Sequence, residues 1–209
     1  MTSPRKAVSV ATRATTEARI FDGALLAIAR QGPKKLAMSD IAHQAGVSVG
    51  TLYRYFKNKD ELLQSLGDYF VTKLQTVLHE AIEDNPAPAD RLQIVIDVML
   101  GFWLENPSTM QIGQLEPGFV VNYIKRVAPR LSTVLSEALE PVLGDSAAVL
   151  GGSATMDEIA DLIVRMAFSH YFMPSRDHRE FRDLLVVLGA SAGLEPRKSR
   201  IRSDRKAVS

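Results

Sequence analysis

Apolar side chains recur along this chain at three- and four-residue intervals and never alternate over a useful length, so the pattern predicts helices throughout. Ile20, Ala24 and Ile28, with Phe21 and Leu25, mark an amphipathic first helix that Gly32-Pro33 terminates. Ile41, Ala42 and Ala45 form one face of a short second helix, and Leu52 and Phe56 one face of a third. Between them, Gly46 suits the left-handed conformation that ends a helix. Ser48 is placed to accept hydrogen bonds from the first free amides of the helix that follows. The two apolar faces close on each other across a short turn, which is a helix-turn-helix. Asn58-Lys-Asp-Glu61 then reads as a capping-box-like start to a long helix running to about Glu83.

Beyond the breaker Asn85-Pro-Ala-Pro88, Leu92, Val95, Ile96, Met99, Leu100 and Trp103 form another helical stripe, stopped at Asn106-Pro107. A short segment from Thr109 to Leu115 leads through Pro117-Gly118 into a helix from about Phe119 to Leu143. The Gly- and Ala-rich stretch 144–153 reads as a loop. Thr155-Met-Asp-Glu158 is a second capping box, opening a helix that ends near Pro174, and a last helix runs from about Asp177 to Ala192. The expected fold is all-α: a three-helix head at 15–62 and a helical-bundle body at 63–195. Basic flexible arms are expected at 1–14 and 196–209.

The side chains that the third helix leaves outside point to duplex DNA. With Leu52 and Phe56 turned inward, Val49, Gly50, Thr51, Tyr53, Arg54 and Tyr55 occupy the N-terminal and outer sides, where a recognition helix meets the major groove. Gly50 allows close backbone approach, Thr51 and the tyrosine hydroxyls can donate to phosphate, and Arg54 can reach phosphate or a guanine edge. Lys57 and Lys59 add charge. The net charge of +1 conceals a strong asymmetry: through residue 60 there are 10 Lys/Arg against 4 Asp/Glu, from 61 to 196 there are 9 against 19, and from 197 there are 6 against 1. A basic head favours the DNA backbone, and an acidic body is repelled from it.

The run from Ile41 to Leu63, Ile-Ala-x-x-Ala-Gly-Val-Ser-x-Gly-Thr-Leu-Tyr-x-Tyr-Phe-x-x-Lys-x-Glu-Leu-Leu, resembles the signature of the tetracycline-repressor-like (TetR) transcriptional regulators. The resemblance covers roughly residues 15 to 75. It implies DNA contacts at Val49, Gly50, Thr51, Tyr53 and Tyr55, with Lys59 on a phosphate. Two positions depart from the family pattern. Ala37 replaces the Thr that usually caps the first helix of the motif and touches DNA, with Ser39 and Asp40 nearby to substitute. Val49 stands where many members carry Lys and is suited to a thymine methyl.

Apolar residues occupy nearly the whole circumference of the last two helices, so a partner chain is expected to cover them through Phe168, Phe172, Phe181, Leu184, Leu185 and Leu188. The resemblance implies the same four-helix homodimer, in which two heads about 34 to 36 Å apart read a palindrome. Met99, Phe102, Trp103, Met110, Phe119, Tyr123, Met166 and His170 come from the helices that surround an effector pocket in TetR-like proteins. Each also suits an ordinary core. Together they predict a mainly apolar effector with one or two polar handles.

Other classes are weakly supported. The absence of Cys excludes disulfides and thiolate metal sites. No apolar stretch approaches the roughly 20 residues of a membrane span, and the N-terminus lacks a signal peptide's apolar segment, so a cytoplasmic location is expected. The four histidines are scattered, and Gly151-Gly-Ser153 is not a hydrolase elbow. His170 lies at least two helical turns from Asp157, Glu158 and Asp161. No enzyme activity, metal or cofactor is expected. The expectation is a TetR-like repressor released by an effector. Alternatives are a DNA-binding regulator without a small-molecule ligand and a helical interaction protein.

Overall fold

The computed structural model describes the backbone of residues 4–104 and 107–194 and the side chains of 13–102 and 108–194. Its described elements are helical, with no strand among them: α1 (Pro4–Lys35), α2 (Met38–Ala45), α3 (Val49–Tyr55), α4 (Lys59–Asp84), a 3-10 turn at Pro88–Asp90, α5 (Arg91–Leu104), α6 (Pro107–Leu115), α7 (Pro117–Leu143), α8 (Ala147–Leu150), α9 (Met156–Phe172) and α10 (His178–Ser191). The head-plus-body all-α architecture is as expected.

Two local expectations differ. The arm expected over 1–14 is instead helical from Pro4. A helix needs no apolar stripe where Ala, Arg and Lys supply propensity and an established helix continues it, and Pro is tolerated in a first turn. The expected loop at 144–153 contains the one-turn α8, capped by Ser146, whose hydroxyl accepts the Val149 N–H at 3.3 Å. The basic tail expected at 196–209 lies outside the described residues.

The terminal signals act as the sequence implied. Gly32 interrupts α1 at φ 78° and ψ 161°, a conformation that glycine adopts without strain. Asn58 accepts the Glu61 N–H at 2.8 Å, and the Glu61 carboxylate takes the Lys57 N–H at 2.8 Å, one residue earlier than in the usual reciprocal box. At the start of α9 the box is complete: Thr155 Oγ1 accepts the Glu158 N–H at 3.2 Å, and Glu158 accepts the Thr155 N–H at 2.8 Å.

Leu52, Ile41, Ile20 and Ile28 fill the centre of the head, each almost fully buried. Phe21 bridges to the long helix, its ring 5.5 Å from Phe56 and 4.8 Å from Tyr69 of α4. The body is layered: α4 packs on α5 and α7, α7 on α9, and α5 on α9 and α10, while α6 returns to touch α1. Leu62, Leu66, Phe70, Leu74 and Leu78 bury one face of α4, which begins in the head and ends in the body. Any tilt of its far end therefore reaches the helix-turn-helix.

Candidate nucleic-acid interface

The turn before α3 is held from both sides. Gly46 ends α2 at φ 63° and ψ 37°, and its N–H donates back to the carbonyls of Ala42 and His43. Ser48 opens α3 by accepting the Thr51 N–H at 3.0 Å, with its hydroxyl 2.9 Å from Thr51 Oγ1. From α1, Arg19 Nη2 donates to the carbonyls of Ala45 and Gly46 at 2.9 and 3.0 Å. One guanidinium satisfies carbonyls that the helix end leaves free.

Leu52 and Phe56 face inward, and most of the rim expected to meet DNA faces out. Ser39, Ser48, Val49, Gly50, Tyr53, Arg54 and Lys57 are exposed, with Val49 at 41% and Tyr53 at 51%. Thr51 and Tyr55 are half-buried. The Arg13 guanidinium of α1 stands 5.5 Å from the centre of the Tyr55 ring, a cation–π contact that fixes the ring at the edge of this surface. Lys59 is half-buried, and its Nζ donates to the Pro33 carbonyl at 3.3 Å, leaving two of its three N–H donors for another acceptor.

Ala37 has no side chain with which to cap α2. Asp40 compensates in part by accepting the Ala37 N–H at 3.2 Å, and it also accepts Gln31 Nε2 at 2.8 Å. Asp40 is thus committed to the helix terminus, which leaves Ser39 as the exposed hydroxyl there. Arg13 and Arg19 were absent from the sequence-derived set because both act across the fold, on residues 26 to 42 positions away.

The residues expected around an effector separate into two places. Phe119 and Tyr123 line a cavity of about 40 Å³ at the junction of head and body, with Leu25 of α1, Leu66 of α4 and Tyr171 of α9. The Tyr123 hydroxyl is buried there without a hydrogen-bond partner among the described residues, and burial holds its pKa far above the usual phenol range. Tyr171 donates its hydroxyl to the Thr109 carbonyl, and burial pushes its pKa up to about 12.

Met99 and Met166 line a second cavity, of about 240 Å³, between α5, α9 and α10. Phe102 and Met110 pack against the core and line neither. The Trp103 side chain lies outside the described residues. His170, expected beside an effector, lines neither cavity: it is buried with its Nε2 3.1 Å from Nδ1 of the half-buried His178 and its ring stacked on Phe181 with centroids 4.7 Å apart. Among the described residues no cluster of three metal-ligating side chains occurs.

The set expected at a dimer face also divides. Phe168 and Leu185 are buried within their own chain, because α9 turns one stripe onto α5 and α7 and α10 turns one onto α5. Phe172 and Phe181 are half-buried. Leu184 and Leu188 are more than half exposed, together with Leu162 and Val187.

Comparison with known proteins agrees with this geometry. Residues 20–66 match the family of bacterial regulatory proteins described as tetR. An HTH-type transcriptional regulator of Mycobacterium tuberculosis is 26% identical over 173 residues, 80% of each chain. The fatty acid metabolism regulator protein of Bacillus subtilis is 33% identical over 98 residues, 47% of this chain and 50% of that one. The crystal structure of the Bacillus subtilis regulator FadR in complex with stearoyl-CoA superposes with a TM-score of 0.58 at 23% identity, covering 83% of this chain and 94% of that one, a likeness of fold. Over residues 20–66, which hold the helix-turn-helix and its exposed α3, the chain is thus similar to the tetR family of bacterial regulatory proteins, and the relatives it resembles along most of its length are transcriptional regulators.

Proposed function

We propose that the chain is a homodimeric repressor that occludes a promoter by binding a palindromic operator and is released by a mainly apolar small molecule. The observation that carries this reading is α3 itself: a helix capped by Ser48 whose Val49, Gly50, Tyr53 and Arg54 face solvent. In the docked complex Tyr53, Tyr55 and Thr51 donate to phosphate, Arg54 reaches phosphate or a guanine edge, and Val49 meets a thymine methyl. Ser39, Lys57 and Lys59 contact the backbone. The acidic body stays away from it.

Dimerisation is supported by the exposed leucines and valine of α9 and α10, an apolar face that a second copy would cover. It also supplies what one short recognition helix lacks, since a single module buries too little surface for tight specific binding. An apolar effector is supported by the cavity linings and by the likeness to FadR, whose complex holds stearoyl-CoA. Release then follows if the ligand favours a spacing of the two heads that misfits the operator, with α4 carrying the change.

The test is footprinting of full-length protein on fragments of its own genome at low and moderate salt. Two protected half-sites one helical turn apart are expected, with affinity falling steeply as salt rises. An absence of protected bases at low salt would overturn the DNA-binding assignment.

A further inference from the structure

The Tyr123 hydroxyl is buried at the junction of head and body with no hydrogen-bond partner among the described residues. Its ring lies against α4, where a β-carbon at Gly67 would stand 3.5 Å from the ring and 3.8 Å from the hydroxyl oxygen. A phenol stranded in this way destabilises the protein that carries it, and phenylalanine would fill the same space without that penalty. Burial keeps the proton in place at any physiological pH, so the group is a donor without an acceptor.

The cavity that Tyr123 lines restricts what that acceptor can be. Phe70, Phe119, Phe168 and Tyr171 share its lining with Leu25 of α1 and Leu66 of α4, and no charged side chain is among the residues around it. A charged ligand would lose its water there without compensation. Water itself is poorly served, because the walls are nearly all apolar and Tyr171 spends its proton on the Thr109 carbonyl. Aromatic walls favour a flat ring, packed edge-to-face or offset, as the Phe70 and Tyr123 rings already are at 6.3 Å and 82°.

We infer that this cavity binds a small neutral aromatic compound with one hydrogen-bond acceptor, an aryl ketone or ester, whose oxygen accepts from the Tyr123 hydroxyl. The inference rests on the effector reading above for the ligand's role, and it fixes the ligand's class and seat. At about 40 Å³ the cavity is smaller than the roughly 150 Å³ that admits benzene. Phe119 supplies the difference: it is half-buried in the first turn of α7, next to Gly118, whose surroundings are open. Its ring matches benzene in size, and turning it outward vacates the seat that a six-membered ring needs. Because Leu25 belongs to the head and Leu66 to α4, a ring seated between them bears on the joint that orients the helix-turn-helix.

The test is calorimetric titration of the full chain, without DNA, with acetophenone, with ethylbenzene, which has the ring but no acceptor, and with benzoate, which carries a charge. Acetophenone should bind once per chain and at least tenfold tighter than either of the others. Tyr123→Phe should melt no lower than the native protein, since it loses only an unpaired hydroxyl, and should bind acetophenone no better than ethylbenzene. Ile124→Phe, which fills the cavity from a half-buried position, should bind neither.

No binding of acetophenone, or equal affinity for acetophenone and ethylbenzene, overturns the proposal. A lower melting temperature in Tyr123→Phe overturns it too, because the hydroxyl then has a partner within the fold. Native affinity in both variants moves the ligand to the cavity between α5, α9 and α10, with the same consequence. Since no DNA is present, failure here leaves operator binding untouched. Acetophenone that binds as expected yet leaves operator affinity unchanged removes the effector reading and keeps the site.

Discussion

Gly23 of α1 lies directly against Ala45 of α2: a β-carbon at Gly23 would stand 2.6 Å from the Ala45 nitrogen and 2.8 Å from its Cα. The two helices cross at backbone contact, one turn from where Arg19 ties down the end of α2. Gly23→Ala gains up to about 1 kcal/mol in helix propensity. Against this stands overpacking of about 1–3 kcal/mol, which wins because backbone atoms cannot swing aside as a side chain can. A lower urea midpoint and weaker operator binding are expected. An unchanged midpoint in equilibrium unfolding would show that the crossing is looser than the geometry implies.

What the sequence disclosed and what it concealed divide along one physical line. Signals that act within one helical turn were legible: Gly46 ending α2, Ser48 opening α3, Asn58 and Thr155 capping α4 and α9. The outward placement of Val49, Gly50, Tyr53 and Arg54 followed from the same periodicity, whereas Thr51 and Tyr55 are half-buried. Contacts between elements were not legible. Gly23 carries no signal within its own helix, and only its partner Ala45 explains it. Arg19 and Arg13 lay on a helix whose polar face carried no further instruction. The helix at 4–14 lacks the apolar stripe that a sequence reading requires, and the pairing of His170 with His178 depends on how the chain reverses after Phe172.

Ser48 lets the cap be separated from the DNA surface. Ser48→Ala removes the acceptor of the Thr51 N–H and should cost about 1 kcal/mol, felt most in α3, which is only 7 residues long. Ser48→Asp restores the acceptor and suits the positive end of the helix, so thermal stability should return to that of the native protein. Operator affinity should not return, because the carboxylate would lie beside phosphate. Melting curves and gel shifts on both variants give the comparison, and recovery of affinity in Ser48→Asp would place this end of α3 away from the backbone.

The imidazole pair predicts a pH dependence. Burial, and secondarily the neighbouring His178, hold the His170 pKa below its ordinary value of 6.5. The unfolded chain therefore binds a proton at this site at a higher pH than the folded chain does, and stability rises with pH through the interval between the two values. The contribution is fully present above pH 6.5 and is lost as pH falls through the lowered folded-state value. His170→Gln keeps a polar group without titrating. Between pH 7 and 5 the melting temperature of that variant should fall less than that of the native protein, and equal slopes would exclude His170 as the source.

Arg54 and Tyr53 make separable predictions at the proposed interface. If Arg54 meets a guanine edge, Arg54→Ala costs about 1–3 kcal/mol on the preferred operator and relaxes discrimination at one base pair. If it meets phosphate, affinity falls equally on all sequences and the salt slope drops by about one charge. Tyr53→Phe removes one hydroxyl and should weaken operator binding with little effect on folding, since the ring is 51% exposed. Salt titrations against operator and random duplex distinguish these cases, and no effect from either variant would remove both residues from the contact surface.

Leu184 and Val187 are 54% and 59% exposed on α10, so a charge at either place costs the isolated chain little. In a dimer that buries this face, the same charge enters an apolar interface without a partner, which is a far larger penalty. The Leu184→Glu, Val187→Glu double variant should therefore keep its helical signal yet sediment as a monomer at micromolar concentration. Its operator affinity should collapse toward that of random duplex, because one head retains the phosphate contacts but loses the second half-site that makes binding specific. A double variant that remains dimeric would show that another surface joins the protomers, and a monomer with undiminished operator affinity would show that one head suffices.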